Sequence, residues 1–291
     1  MRTVAVMMAP GRKNILPVAK KALSLLERQG IAVRMRVPDA QRLRRPDLAC
    51  ADEKIAVGTD IVLSLGGDGA MLGAARLAAP HRIPILGLHV GGLGFLTEPM
   101  DSRLKEALQK ALSGDYQIEE RMMLGAQVIR GGKRVRSLLA LNDIVIRNGA
   151  FSRVLRLTAR INGRFLAVFP ADGVIICTPT GSTAYSLSAS GPVVDPKAQV
   201  IVVTPICPHT LSARPLVLPA RRQAEIVIPA FGSAEQVMVT ADGQVAFPLE
   251  SEDVVAVRRA AHTARVVSFG DLDFYQKLRG RLGWGGTLPA R

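Results

Sequence analysis

Residues 63–72 read LSLGGDGAML, and this stretch decides the fold of the first hundred residues. A nearly continuous apolar run at 61–65 predicts a buried strand, three glycines and one aspartate form a turn, and a helical pattern follows at 71–79. A strand that passes through a tight turn into a helix is typical of an α/β domain with a parallel sheet. Because glycines let phosphates approach the backbone and helix starts attract anions, the turn also indicates a phosphate site.

Asp68 lies inside this turn, where phosphates would repel a carboxylate. The residue makes sense there if it accepts a proton from an attacking hydroxyl or meets a magnesium ion. The alternative is a plain turn in which Asp68 caps the next helix. Two commoner nucleotide motifs are absent, since the chain has no GxxxxGK[ST] and no GxGxxG after its first strand. P-loop enzymes are thereby excluded, and a hydride-transferring Rossmann enzyme is disfavoured.

The rest of the chain indicates two domains. Up to residue 116, the strands predicted at 3–8, 31–37, 61–65 and 83–88 alternate with helices predicted at 16–29, 71–79 and 104–112. Short β runs then follow at 126–129, 155–161, 200–203, 224–228 and 237–240, with hairpin turns at Gly131-Gly132 and Asn162-Gly163. We therefore expect an α/β domain at 1–116, onto which a helical tail within 270–291 packs back, and an all-β, sandwich-like domain at 117–269.

Composition narrows the choice of partners. The formal net charge is +14, but aromatic residues make up only 4% of the chain, so polyphosphate-bearing small molecules are better candidates than nucleic acid. No apolar stretch reaches the roughly 18 residues of a membrane span. The cysteines Cys50, Cys177 and Cys207 are scattered and form no CxxC pair, which fits a reducing cytoplasm and indicates neither disulfides nor a thiolate zinc site.

Further motifs complete a pattern. They are LGFLTE at 93–98 in a glycine-rich loop, LND at 141–143, TPTGSTAYSLSASGP at 178–192, PHTLSARP at 208–215 and LGW at 282–284. With GGDG at 66–69, and in this order over nearly the whole chain, they resemble the NAD kinase (ATP-NAD kinase) family of the bacterial type. GGDG alone is weakly specific, because diacylglycerol-type lipid kinases and phosphofructokinases share it, whereas the long segment at 178–192 is highly specific.

The resemblance implies transfer of a phosphoryl group from ATP or polyphosphate to the adenosine ribose 2′-hydroxyl of NAD, which makes NADP. It implies Asp68 as the proton acceptor, donor phosphates on Gly66, Gly67 and Gly69, and Mg²⁺ or another divalent cation held mainly by those phosphates. It also implies a homodimer or homotetramer in which residues near Cys207 reach a neighbouring subunit's ligand. The implied NAD-binding residues are Asp68, Gly69, Phe95, Asn142, Asp143, Arg153, Asp172, Thr183, Ala184, Tyr185, Ser188, Cys207 and Gln244.

Three departures from the family pattern are His89 in place of a common Asn, Ala70 in place of Thr or Asn, and Pro170-Ala171 before Asp172. They leave open the identity of the phosphate donor and the preference for NAD or NADH.

Two alternative functions remain at this point. A diacylglycerol-type lipid kinase would need an apolar acyl slot, which the hydroxyl-rich 178–188 segment disfavours. A non-catalytic NAD-binding sensor is disfavoured by the intact GGDG turn.

Overall fold

The computed structural model describes residues 3–12, 14–90, 94–99, 104–149, 154–230, 236–270 and 273–284. Two compact units emerge, one formed by residues 1–120 and 264–291 and the other by residues 121–263. In the described part of the chain, no helix is long and apolar enough to cross a membrane.

Strands and helices are numbered in chain order. The strands are β1 (Thr3–Met8), β2 (Ala32–Arg36), β3 (Ala49–Cys50), β4 (Ile61–Gly66), β5 (Pro84–His89), β6 (Glu98–Pro99), β7 (Gln117–Arg130), β8 (Lys133–Ala140), β9 (Asp143–Asn148), β10 (Leu155–Ile161), β11 (Arg164–Ala171), β12 (Gly173–Cys177), β13 (Val200–Ile206), β14 (Leu216–Pro219), β15 (Ala224–Val227), β16 (Val237–Ala241), β17 (Val245–Leu249) and β18 (Val254–Ser268). The α-helices are α1 (Ile15–Arg28), α2 (Val37–Leu43), α3 (Asp52–Ile55), α4 (Asp68–Ala78), α5 (Leu104–Ser113), α6 (Tyr185–Ser188) and α7 (Phe274–Leu282).

A parallel sheet organises the first unit. Its order is β18-β5-β4-β1-β2-β3, and every pairing along this path is parallel. All six residues of β4 are buried, as expected for a central strand whose two faces are both covered. The α/β prediction with a parallel sheet is therefore confirmed, and the carboxyl ends of β4 and β5 bring the two glycine-rich loops to one edge of the sheet.

Two local predictions for this unit differ from the structure. The strand predicted to reach Val37 ends at Arg36, because Val37 begins the unpredicted helix α2. Pro38 lies in the first turn of this helix, where a missing N–H leaves no helical hydrogen bond unmade. Helix α4 begins at Asp68 rather than Met71, because its first turn consists of small and acidic residues that carry no apolar periodicity.

Two antiparallel sheets form the second unit. One has the order β11-β10-β15-β18, with β7 paired to β18 and β8, and the other has the order β14-β13-β12-β9-β16-β17. A single apolar core joins inward-facing residues of both sheets, including Leu157 and Ile226 from the first and Ile146, Ile176 and Val239 from the second. The expected sandwich-like β domain is confirmed.

A buried ion pair closes one turn of the second unit, and it supports a stability prediction. Asp253 is 0% exposed, and its carboxylate accepts hydrogen bonds from Arg130 Nε at 2.9 Å and Nη2 at 2.8 Å and from Glu250 N at 2.8 Å. We expect Asp253→Ala to lower the free energy of unfolding by about 2–3 kcal/mol, because two charge-assisted hydrogen bonds from Arg130 and one from Glu250 N are lost.

Urea unfolding measures this loss, with Glu250→Ala as the control. The Glu250 side chain also pairs with Arg130 but is 66% exposed, so its removal should cost less than about 1 kcal/mol. Equal losses in the two variants would contradict the expectation.

Candidate functional site

The glycine turn after β4 is built for close backbone approach. Gly66 has φ +153°, and a Cβ there would lie 2.7 Å from the Cβ of Ala9. Gly67 is the N-cap of α4 and carries no side chain to cap the helix. The helix therefore begins at this turn without a side-chain cap, a geometry that suits an anion.

Asp68 does not cap α4. Its Oδ2 accepts a hydrogen bond from Phe95 N at 2.9 Å, and its Oδ1 accepts one from Leu96 N at 3.2 Å and a longer one from Thr97 Oγ1 at 3.4 Å. The capping interpretation is wrong, because the carboxylate bridges to the loop after β5. This attachment holds the charge in one orientation, with a quarter of the side chain (26%) still exposed.

The loop that holds Asp68 depends on a glycine. A Cβ at Gly94 would collide with both the Asp68 carboxylate and the Thr97 hydroxyl. Thr97 is itself fully buried, and its Oγ1 lies 3.1 Å from His89 Nδ1. The structure thus brings together Asp68 and Phe95, two of the predicted NAD-binding residues, and adds Gly94 and Thr97, which were not among them.

Charged groups surround the turn on the side of His89. Burial lowers the pKa of His89, Asp68 opposes this shift, and Arg12 and Arg281 lower the pKa further. The imidazole also packs against the turn, because a Cβ at Gly67 would lie 3.2 Å from His89 Cε1. His89 is thus part of the turn's surroundings.

In the second unit, one carboxylate organises the Leu141-Asn142-Asp143 segment. Asp242 Oδ1 accepts hydrogen bonds from Asn142 N at 2.8 Å and Asp143 N at 3.3 Å, and its Oδ2 accepts one from Leu141 N at 3.2 Å. The Asp242-Gly243-Gln244 hairpin turn lies beside this segment, since Asp242 N donates to Asp143 O. Gln244 is the one residue of this turn among the predicted NAD-binding residues.

The hydroxyl-rich segment packs against the same place. Thr178 Oγ1 donates to Leu141 O at 2.6 Å, and a Cβ at Gly181 would collide with the carbonyl of Asn142. A 3-10 turn at Thr180–Thr183 and the short helix α6 follow. Thr183 and Ala184 are partly buried, while Ser188 is exposed and Tyr185 is 41% exposed. The structure therefore gathers these residues near Asn142 and Asp143.

Two of the predicted NAD-binding residues, Asp172 and Cys207, lie at the end of β12 that is farther from the Asn142 segment. Asp172 precedes this strand and Thr178 follows it, a separation of about 20 Å at about 3.3 Å per residue. Cys207 lies at the same end of β12 as Asp172. Gly173 pairs with Ile206 in the sheet, and Asp172 Oδ1 lies 3.7 Å from His209 Nε2. The chain does not bring Asp172 and Cys207 to the Asn142 segment. Arg153 lies outside the described residues.

Unpartnered polar atoms remain near Asn142. Its Oδ1 is buried and has no hydrogen-bond partner within the described residues, as expected of an atom that a ligand satisfies. Asp143 is only 5% exposed, and burial together with the charge of Asp242 raises its pKa to about 7. Within the same described ranges, no group of three or more His, Cys, Asp or Glu side chains could hold a metal ion.

The raised pKa of Asp143 predicts a pH-dependent stability. The folded-state pKa of about 7 lies above the ordinary 3.8, so this group destabilises the fold progressively as the pH rises from about 4 to about 7. We expect Asp143→Asn to be more stable than the wild type at pH 8 by about 2–4 kcal/mol. The difference should shrink as the pH falls toward 4, because the wild-type carboxyl is then neutral in both states.

Urea unfolding at pH 8 and pH 5 checks this expectation, with the exposed Asp115→Asn as the control. A wild type that is the more stable protein at pH 8 would contradict it.

Comparison with known proteins identifies the family. Residues 4–116 match the model of the ATP-NAD kinase N-terminal domain, and residues 141–269 match that of the ATP-NAD kinase C-terminal domain. The chain is 42% identical over 287 residues to an NAD kinase of Citrifermentans bemidjiense, covering 98% of this chain and 99% of the relative. It is 45% identical over 276 residues to an NAD kinase of Moorella thermoacetica, covering 95% and 88%.

Solved structures agree with these relatives. Yeast NADH kinase complexed with NADH is 27% identical, with a TM-score of 0.88 and coverage of 100% of this chain and 90% of that one. An Archaeoglobus fulgidus NAD kinase in complex with ATP shares the fold at 23% identity, with a TM-score of 0.74 and coverage of 97% and 99%. The full-length similarity to NAD kinases gives no support to a lipid kinase or to a non-catalytic sensor. The chain belongs to the NAD kinase family.

Proposed function

We propose that this NAD kinase uses Asp68 as the proton acceptor from the adenosine ribose 2′-hydroxyl of NAD. The observation that carries the proposal is the orientation of Asp68, which is turned away from its own helix and held by the N–H groups of Phe95 and Leu96. These backbone donors hold the carboxylate in one orientation, and a general base must be positioned before it can take a proton. Three glycines beside it leave room for phosphates and a sugar.

The reaction then proceeds by one displacement. The ribose O–H bond breaks, and its proton moves to the Asp68 carboxylate. The ribose oxygen forms a bond to the terminal phosphorus of the donor, and the bond from that phosphorus to the bridging oxygen breaks with its electron pair on the leaving phosphate. Gly66, Gly67 and Gly69 hold the donor phosphates through their backbone N–H groups.

The donor is ATP or polyphosphate, accompanied by Mg²⁺ or another divalent cation. Such a cation would neutralise charge on the donor phosphates, which we propose hold most of its coordination sphere. The turn fits this arrangement, since its three glycines have no side chains to occupy the space beside the phosphates. The ATP in the archaeal relative supports the choice of a nucleotide donor.

The dinucleotide binds to residues of the second unit. We assign Asn142, Asp143 and Gln244 to hydrogen bonds with the ligand and Thr183, Ala184, Tyr185 and Ser188 to the adenosine half. The unpartnered Oδ1 of Asn142 supports a ligand contact at this place. The NADH in the yeast relative supports a dinucleotide acceptor.

Cys207 and the neighbouring Asp172 contact the dinucleotide of another subunit in a homodimer or homotetramer, and Arg153 is a further dinucleotide contact. The separation of Asp172 from the Asn142 segment by the length of β12 supports this assignment. We also propose that the enzyme works in the cytoplasm and that its domains extend over 1–116 with 270–291 and over 117–269.

Replacing the base tests the mechanism. We expect Asp68→Asn to lower kcat for NADP formation about 10²–10⁴-fold, the usual contribution of a general base, while the fold is retained. A coupled NADP assay measures the rate, and circular dichroism checks the fold. Near-normal turnover in the folded variant would remove Asp68 from this role.

Gly94→Ala tests the orientation of the base without changing its chemistry. Because the new Cβ collides with the Asp68 carboxylate, we expect kcat to fall about 100-fold, as for other misplacements of about 1 Å. Gly125→Ala serves as the control, since a Cβ there meets nothing closer than 3.9 Å. An unchanged kcat in Gly94→Ala would contradict the orientation argument.

A further inference from the structure

Arg281 lies beside the base although it comes from the far end of the chain. Helix α7 begins with a capping box, in which Asp273 Oδ1 accepts from Gln276 N at 2.7 Å and Gln276 Oε1 accepts from Asp273 N at 2.8 Å. Leu278 is buried, which anchors the helix. In the last turn, Arg281 Nη2 lies 3.9 Å from Asp68 Oδ2, and the guanidinium lies over the Phe95 ring at 5.5 Å from its centroid.

Stability does not explain this position of Arg281. The distance of 3.9 Å to Asp68 is too long for a hydrogen bond, and the arginine side chain is 42% exposed. Exposed ion pairs contribute little to stability, because solvent screens them. Asp68 does not depend on the arginine either, since both its carboxylate oxygens accept backbone hydrogen bonds from Phe95 and Leu96.

The reaction, in contrast, requires a cation at this point. A donor with several negative charges must settle on a turn whose own side chain is a carboxylate, and that repulsion has to be offset. Arg12 and Arg281 supply positive charge there, and both act on His89, which packs against the turn. Arg12 donates to Val90 O at 3.3 Å, whereas Arg281 is the one of the two that lies next to the base.

We propose that Arg281 is a catalytic residue of the kinase, whose guanidinium binds the non-bridging oxygens of the phosphoryl group during transfer. This inference rests on the proposed role of Asp68. A base acts within about 2.6–3.2 Å of the hydroxyl oxygen, and reacting atoms lie about 3–3.5 Å apart. The phosphorus therefore lies within about 7 Å of Asp68. The guanidinium of Arg281, which is 3.9 Å from the same carboxylate, can reach that position.

The chemistry of the side chain suits this role. A guanidinium presents N–H donors in a fork that matches two oxygens of a phosphoryl group. As the bond to the leaving phosphate breaks, charge spreads over those oxygens, and the arginine stabilises it. Arg281 keeps all its protons, while the hydroxyl proton goes to Asp68 and the electron pair of the broken bond leaves with the donor's remaining phosphates. The Phe95 ring holds the guanidinium in place.

The test compares Arg281→Ala and Arg281→Lys with Arg279→Ala. Arg279 is exposed on the same helix but lies two residues earlier, about 200° round the helix axis, and so faces away. With ATP and NAD varied in turn, we expect Arg281→Ala to lower kcat/KM for ATP by about 10–100-fold. The KM for NAD should stay near the wild-type value, Arg281→Lys should recover part of the loss, and Arg279→Ala should match the wild type.

Calorimetric titration with a non-hydrolysable ATP analogue gives a readout besides turnover, and thermal melting checks the fold. We expect weaker analogue binding in Arg281→Ala, whereas Asp68→Asn, which loses the repelling charge, should bind the analogue at least as tightly as the wild type. These opposite directions separate failure of this inference from failure of the base assignment. If the alanine variant does not fold, Arg281→Gln retains the packed stem of the side chain. Kinetics like those of Arg279→Ala, or a loss confined to the KM for NAD, would overturn the role of Arg281.

Discussion

The hydrogen bonds from Phe95 and Leu96 to the carboxylate of Asp68 are the constraint on which the rest of the first unit depends. They join the turn after β4 to the loop after β5, so the spacing of two parallel strands determines where the negative charge lies. Gly94 is required because this loop passes against the carboxylate. A carboxylate that would otherwise repel its substrate is thus held still and is balanced by cations brought from elsewhere in the unit.

The second unit also contains a carboxylate that accepts backbone hydrogen bonds from a distant segment of the chain. Asp242 gathers three consecutive backbone N–H groups and thereby shapes the segment that carries Asn142 and Asp143. Burial raises the pKa of the neighbouring Asp143, and the charge of Asp242 raises it further. Asp242 therefore shapes the segment to which we assign the dinucleotide and contributes to the protonation of Asp143.

The local sequence pattern predicted many of the strands and helices. It did not predict the contacts between segments that are distant in the sequence. Strands β1 and β10 have the predicted limits, because apolar runs or alternation end there at polar or turn residues. Helix α2 was missed, because a proline after an apolar strand resembles the end of an element rather than the start of one. The resemblance named Asp68 and Phe95, which contact each other, but neither Asp242 nor Arg281 carries a local signal. Their roles come from partners far away in the sequence, which only the folded chain brings close.

The length of β12 has a consequence for the enzyme in the cell. If Asp172 and Cys207 complete a ligand site on another copy, a dissociated subunit offers an incomplete surface to the dinucleotide. Mass action then makes the apparent affinity depend on enzyme concentration. Dilution weakens substrate capture even when every chain is folded, and a higher expression level increases the activity of each molecule as well as the number of molecules.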